Sequence, residues 1–324
     1  MNRWRTRARG WIGAIGLGAV ALSVQAEDAA DRVVILANSR QPESVALARF
    51  YAEQRAVPAE NIVALPLPEE ESIAWSQFIE QVWQPLQDEL YRRGWLEGTA
   101  SSLFDRLGRR RYAFTGHRLS YLVTCRGVPL RIHNDPMLLP AHKGRKVIEQ
   151  FHKNEGAVDA ELSLLALGNY EITGLIGNPL FAQQGAVTLD ATQVVKVSRL
   201  DGPTWAHARH LVTAALAAER VGVIGRYYVD LKGPHAEGDG WLTAARAQLQ
   251  ALGFEGEVED TPASFPEGAR FDAPVFYFGW YREDLGGPFG QKDFVFPDGA
   301  VAVHIHSFSA QTLRSESKAW CGPL

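Results

Sequence analysis

The chain has 324 residues, of which 46% are hydrophobic and 22% are charged, and its formal net charge is −4 at pH 7. A chain of this length and composition can bury a large core, as one large domain or two modest ones. Because the balance is acidic, the sequence lacks the basic footprint expected of a nucleic-acid-binding protein.

The first 26 residues have the three parts of a cleavable secretory signal peptide. Four arginines between positions 3 and 9 precede an uncharged apolar stretch at 11–24, and small residues stand at Val24 and Ala26 before the predicted cut. The apolar stretch is shorter than the ~20 residues that span a membrane. We therefore expect a bacterial protein exported to the periplasm or beyond, with no stable membrane span after cleavage; an uncleaved anchor is the alternative.

Residues 27–324 are predicted to form a single domain in which buried strands alternate with helices. Cleavage would take the formal net charge of this mature chain to −8, because four arginines leave with the signal. The chain stops in what resembles an unfinished element, so we expect a truncated member of a longer family.

In the first half, apolar runs predict strands at 32–37, 61–65 and 119–124. Helical spacing predicts helices over 42–55 and 72–93, the second kinked or divided at Pro85. The polar residues 96–111 are expected to form a surface insertion, 133–157 an exposed loop with a short helix, 160–167 a helix and 168–187 a loop.

In the second half, strands are predicted at 193–197, 221–230, 275–278 and 300–305. Asp201 or Thr204 is expected to cap a helix that runs to Glu219, and further helices are expected over 241–252 and from Gln311 onward. Strands separated by helices indicate an α/β fold with a mainly parallel sheet between two helical layers.

In such a sheet, ligands bind beyond the carboxyl ends of the strands. Four arginines follow predicted strands and could together bind an anion: Arg40, Arg126, Arg131 and Arg199. The simpler interpretation is that each arginine pairs with a nearby carboxylate. Trp280 and Tyr281 could stack on a ligand or serve only in packing.

His304 and His306 lie two residues apart on one predicted strand, which places them on the same face. They could bind a metal with a third ligand from Asp159, Glu161 or Asp230, or they could be hydrogen-bonded core residues. A lone H-x-H pair is a weak metal signal, and no metal is predicted.

Ser307 and Ser309 follow the same strand and are candidate nucleophiles beside His304 or His306, with Asp201 or Asp159 as a carboxylate. Asp201 is equally a turn and cap residue. The nucleophile elbow G-x-S-x-G, the Walker A motif and G-x-G-x-x-G are absent, so no cofactor is predicted.

The two cysteines, Cys125 and Cys321, could pair in an oxidising compartment or remain separate. Cys125 also ends a predicted strand, where a nucleophile could stand, although a buried small hydrophobic residue is the simpler interpretation.

Five blocks of sequence resemble an uncharacterised family of exported bacterial proteins, for which no function can be carried over. They are residues 34–62, beginning with Val-Ile-Leu-Ala-Asn-Ser-Arg, 121–132 (Tyr-Leu-Val-Thr-Cys-Arg-Gly-Val-Pro-Leu-Arg-Ile), 158–162, 198–203 and 306–314. The resemblance covers nearly all of the mature chain.

A more distant similarity is to the caspase and gingipain type of cysteine peptidase. In those enzymes a His follows one strand and the catalytic Cys ends the next; the matching places here are Gly279-Trp280-Tyr281 and Ile305-His306-Ser307. The similarity implies a caspase/gingipain-like fold without the Cys–His dyad. Two hypotheses follow: a non-catalytic binding or scaffolding domain with an unknown partner, and an extracytoplasmic hydrolase using Ser307 or Ser309 with His304 or His306.

Overall fold

A computed structural model describes residues 29–139, 153–167, 170–172, 176–178, 194–280 and 282–324. The predicted signal peptide, Tyr281 and most of the predicted loop at 168–187 lie outside these residues. The α/β class is confirmed, and the main strand pairings are parallel. The parallel strands form two four-stranded sheets instead of one.

The first sheet has the strand order β2-β1-β6-β9. Its strands are β1 (Val33–Asn38), β2 (Ile62–Leu65), β6 (Tyr121–Cys125) and β9 (Lys196–Leu200). The second sheet has the order β11-β10-β12-β13. Its strands are β10 (Arg226–Asp230), β11 (Gly256–Glu259), β12 (Pro274–Trp280) and β13 (Val301–Ile305).

Across both sheets, the strands lie side by side in the order second, first, third, fourth of their sequence order. This order is typical of doubly wound folds, in which the chain reverses its direction of travel between the first and third strands. That reversal lies between β1 and β6 in the first sheet and between β10 and β12 in the second. The carboxyl ends of these strands are therefore the places to look for a ligand site.

The first sheet is covered on both faces, as predicted for three layers. Alternate residues of β1 point to opposite faces. Val34 and Leu36 pack with the large cluster that contains Trp83. Ile35 packs on the other side against Leu47 of helix α1 (Pro42–Gln54). Because both faces are buried, β1 is a continuous apolar run.

Helix α2 explains how the sequence accommodates Pro85. It begins as Trp75–Gln77, widens to a π-helix over Phe78–Trp83 and continues as Gln84–Arg92. Proline cannot donate the helical hydrogen bond, and its ring would collide with the carbonyl four residues earlier, that of Gln81. The wider π-helical turns lie directly before this proline, where such distortions are expected.

Among the described residues, a helix covers one face of the second sheet. Helix α5 (Ala236–Ala251) covers that face through Leu242 and Leu249. The other face packs against an aromatic cluster that contains Phe265, Phe289 and Trp320 and is carried by loops. The expected third layer is therefore aromatic loop structure here, because the described residues of the β12–β13 connection form no helix longer than a short 3₁₀ turn (Gly287–Gly290).

Some elements differ from the sequence-based predictions, and strand β11 was not predicted. The surface insertion at 96–111 is part of an exposed antiparallel hairpin of β4 (Leu96–Phe104) and β5 (Arg110–His117). The hairpin was missed because most of its side chains are polar and exposed. The helix expected from Gln311 is absent, since the described residues 311–324 form bends and turns.

The remaining elements are small or connect the two sheets. Short strands β3 (Ser72–Ile73), β7 (Arg131–Ile132) and β8 (Gly156–Ala157) form a third sheet, and α3 (Val158–Leu162) follows β8. Helix α4 (Trp205–Val221) connects β9 to β10, and Thr204 caps it. It packs on α1, where Glu219 pairs with Arg55 at 2.6 Å.

Strands β1 and β10 occupy the same position in their sheets. Each ends in a buried side chain that fixes the loop after the neighbouring edge strand. Asn38 Oδ1 accepts the Leu67 N–H at 3.1 Å, and Asp230 Oδ1 accepts the Phe265 N–H at 2.8 Å. The two sheets thus use the same device at the same place. Asn38 is also tied to the third strand's loop, because its Nδ2 donates to the Gly127 carbonyl at 2.9 Å.

Candidate functional site

At the carboxyl end of the first sheet, three arginines converge on one buried carboxylate. The side chain of Asp201 is 1% exposed and lies 3.2 Å from Arg199, 3.3 Å from Arg314 and 3.7 Å from Arg126. Burying a carboxylate is costly unless it is paired and hydrogen-bonded. Asp201 is therefore part of a buried ionic network and does not approach His304 as a catalytic carboxylate would.

Arg199 is the most fully engaged member of this network. Its Nε and Nη2 each lie 2.7 Å from Asp159, and the Nη atoms also donate to the carbonyls of Val128 and Pro129. Burial by itself would lower the pKa of Arg199, but Asp159 and Asp201 raise it above its ordinary value, so the guanidinium stays charged. Its donors are satisfied within the protein.

The network also holds the C-terminal segment, residues 306–324. Arg314 Nη2 donates to the Val128 carbonyl at 3.0 Å. Two residues earlier, Thr312 Oγ1 donates to Glu71 at 2.9 Å, and the Leu313 N–H donates to the same carboxylate at 3.2 Å. The segment that leaves the second sheet is thus fastened to the first.

The structure brings together two of the four arginines predicted to bind an anion. Arg126 and Arg199 meet at Asp201. Arg40 is exposed, and Arg131 donates to Ser72 Oγ at 3.0 and 3.1 Å. Glu161 lies elsewhere, is half-buried and accepts a hydrogen bond from Tyr170. Since carboxylates neutralise the two clustered arginines, the geometry matches the simpler interpretation, in which arginines pair with nearby acids.

At the carboxyl end of the second sheet, Asp230 is a buried carboxylate without an arginine cluster. It is 2% exposed. Its Oδ2 accepts the hydroxyl of Tyr277 at 2.7 Å, and its Oδ1 accepts the Phe265 N–H. Burial raises the pKa of Asp230 above its ordinary value. Among the described residues, no arginine or lysine lies within ion-pair distance of it.

Trp280, at the end of β12, is held on several sides. Its indole Nε1 donates to Asp239 Oδ1 at 2.7 Å. A Cβ atom built on Gly233 or on Gly238 would overlap the indole ring. Only glycine leaves room for this ring at both positions, so packing and a hydrogen bond fix Trp280 in one place.

A cavity of about 360 Å³ opens between Asp230 and Trp280, where β10, β11 and β12 end. Asp230, Trp280, Lys232 and Ser264 line it. Lys232 lies at the exposed rim, where its Nζ is 3.4 Å from Asp260. The cavity therefore occupies the crevice in which doubly wound sheets bind ligands.

His304 and Ser309 form a hydrogen-bonded pair. His304 Nδ1 lies 2.6 Å from Ser309 Oγ, and Nε2 lies 2.9 Å from the Trp280 carbonyl oxygen. A carbonyl only accepts, so Nε2 carries the ring hydrogen and Nδ1 accepts the serine O–H. This is the direction of proton transfer in a Ser–His dyad, with a backbone carbonyl where a carboxylate would orient the histidine.

The surroundings of this pair do not favour catalysis. Ser309 is 5% exposed, and Trp320 stacks on His304 with ring centroids 4.1 Å apart. Burial lowers the pKa of His304 to about 4. A base with so low a pKa is a weak proton acceptor near neutral pH.

The neighbouring candidates are more open. Ser307 is exposed, and the half-buried His306 has its ring centroid 6.0 Å from that of His304. Among the described residues, no group of three or more metal-ligating side chains is found. Both cysteines are free, and burial raises the pKa of Cys125 to about 12, which makes it a poor nucleophile.

Sequence reasoning missed several residues that build these sites. Glu71 and Arg314 were missed because their partners are far away in sequence. Asp239 lies in the first turn of α5, before the start of the helix that the sequence predicts at 241. The pair Gly233 and Gly238 was the available signal, because glycines near a strand end can indicate close packing of a large side chain.

The comparisons with known proteins found no matching family model, no matching curated protein and no matching solved structure. Within the described part of the chain, none of the helices has both the length and the apolar character needed to cross a bilayer.

The packing of Trp280 can be tested with two glycines of the same helix. We expect Gly238→Ala to lower the free energy of unfolding by about 1–3 kcal/mol, because the new methyl group overpacks the indole. Gly240→Ala is the matched control, since no atom lies within 4 Å of its Cβ position. It should be neutral or stabilising by up to about 1 kcal/mol, because alanine favours helix. Equal effects in urea denaturation would contradict this account.

The environment of His304 predicts how stability depends on pH. The unfolded ring takes up a proton below its ordinary pKa of 6.5, whereas the folded ring does so only near pH 4. The free energy of unfolding should therefore fall as the pH is lowered from about 6.5 to about 4. Denaturant titrations of wild type and His304→Gln across that window would measure it. The variant should lose part of the slope, and identical slopes would rule out this role.

Proposed function

We propose that this chain is an exported, non-catalytic binding domain on a caspase/gingipain-like fold. The observation that carries the proposal is that Trp280 is rigidly held at the end of β12. The resemblance matches this position to the catalytic histidine of the peptidases. The export part rests on the signal-peptide pattern of residues 1–26 and on the resemblance to an exported bacterial family.

The strand arrangement supports the fold assignment. In the second sheet β12 and β13 are adjacent and parallel, with Trp280 paired to Ile305. The two positions matched to the peptidase His and Cys therefore follow neighbouring strands. An indole cannot accept a proton in the way that imidazole does, and no thiol lies in the segment 305–307. The two matched positions therefore lack the histidine and the cysteine of the peptidase dyad.

The binding site in this proposal is the cavity between Asp230 and Trp280. A buried carboxylate that lacks an ion-pair partner favours a cationic ligand, which would offset the cost of its burial. An aromatic residue in the lining adds attraction for a cation. The volume is at the small end for ligand pockets, so the cavity suits one guanidinium or ammonium group instead of a large cofactor.

Agmatine, a small guanidinium compound, is a direct probe of this site. We expect saturable binding to the wild-type chain by calorimetry, and at least about tenfold weaker binding to Asp230→Asn, because the negative charge is lost. Asp260→Asn is the matched control, since that carboxylate is exposed at the rim beside Lys232, and it should bind as wild type does. Absence of binding, or equal binding by Asp230→Asn, would refute a cation site.

The second candidate function is an extracytoplasmic hydrolase, and the Ser309–His304 hydrogen bond is what favours it. A fluorophosphonate probe reports an activated serine directly. We expect no stoichiometric labelling, because Ser309 is buried and its partner His304 is a weak base. Labelling of wild type that disappears in Ser309→Ala but persists in Ser307→Ala would establish the hydrolase and overturn the non-catalytic proposal.

A further inference from the structure

The edges of the two main sheets differ in how they are protected. Three of the edge strands carry charge or are flanked by proline: Pro66 follows β2, Lys196 lies in β9 and Glu257 lies in β11. Such residues discourage an edge from pairing with another strand. β13, with the sequence Val-Ala-Val-His-Ile, contains no acidic residue, lysine, arginine, proline or glycine.

One face beside β13 is also only partly covered. Val301 and Val303 are 47% and 44% exposed. They pair with Phe276 and Phe278 of β12, which are half-buried on the face that α5 covers. The β12–β13 connection packs its aromatic residues on the opposite face. In the described part of the chain, an apolar strip therefore adjoins the free edge of β13.

The strand is complementary to itself. An antiparallel pair with a two-fold axis through Val303 places Val301 opposite Ile305, Ala302 opposite His304, and Val303 opposite its own copy. No acidic, lysine or arginine side chains meet, and the cross-strand pairs at the uncovered face are β-branched, a favourable combination in sheets. A two-fold interface requires this kind of self-complementarity.

We propose that β13 pairs with β13 of a second copy of this chain, which joins two four-stranded sheets into one continuous sheet. Each copy would thereby supply hydrogen-bond partners to the other's edge and cover its strip of valines and phenylalanines. A contact made mainly by one five-residue strand from each copy is small. The dimer should therefore be weak, and its population should depend on concentration. The inference is independent of the ligand proposed above.

Sedimentation velocity over a range from low to high micromolar concentration tests this. Wild type should change from monomer to dimer as the concentration rises. Val303→Lys should raise the dissociation constant at least about tenfold, because two ammonium groups would face each other at the axis. Val303→Thr keeps the β-branched shape and should still dimerise. Leu252→Lys is the matched control at an exposed residue of the second sheet's helical face, 74% exposed, and should behave as wild type.

A second measurement keeps the proposal testable if Val303→Lys folds poorly. In wild type, hydrogen exchange of the β13 amides should slow as the concentration rises, while exchange in the opposite edge strand, β11, should not change. A monomer at every concentration, a dimer insensitive to Val303→Lys, or β13 exchange that is independent of concentration would overturn the proposal. A purified complex in which one copy of this chain binds a different polypeptide, and no second copy, would also overturn it.

Discussion

The ion pairs of the buried Asp201 carboxylate join the first sheet to the segment that follows the second. Asp201 lies directly after β9, and its three arginine partners come from the loop after β6, from β9 itself and from the C-terminal segment. Because all three guanidinium groups share this carboxylate, its loss would break three ion pairs at once, and breaking a buried pair costs about 3–5 kcal/mol. The ionic network therefore fixes the third and fourth strands of the first sheet and anchors the segment that covers the end of the second.

The carboxyl ends of the two sheets differ because β1 ends in Asn38 and β10 ends in Asp230. Asn38 is neutral, and its amide is saturated by hydrogen bonds that hold both flanking loops. Asp230 performs the same structural task for one loop, but it also places a negative charge beside a cavity. In the first sheet the buried carboxylate is paired with arginines, whereas Asp230 is held by neutral donors, the Tyr277 hydroxyl and the Phe265 N–H. This contrast is why we place the proposed binding site at Asp230.

The sequence predicts the α/β class and most main strands, because β1 and β12 are apolar enough to be recognised without knowing their partners. It does not predict the division into two sheets, since hydrophobic periodicity carries no information on which strands pair. The hairpin of β4 and β5 was missed because polar strands lack an apolar signal. The Asp201–Arg314 contact joins residues more than a hundred positions apart, and a single sequence offers no signal for it.

The candidate site shows the same limit of a single sequence. The sequence places His304 near Ser309, but it does not show that Trp320 packs on His304. Trp320 stacks on His304, and the segment 306–324 that carries Trp320 is fastened to Glu71 and Asp201. A serine and a histidine can thus be joined by a short hydrogen bond and still form a packing contact. Catalysis needs access for a substrate and a base whose pKa is near the working pH, and this pair has neither. Trp280 supports the same conclusion from the neighbouring strand, since a rigid indole there can line a binding cavity but cannot move a proton.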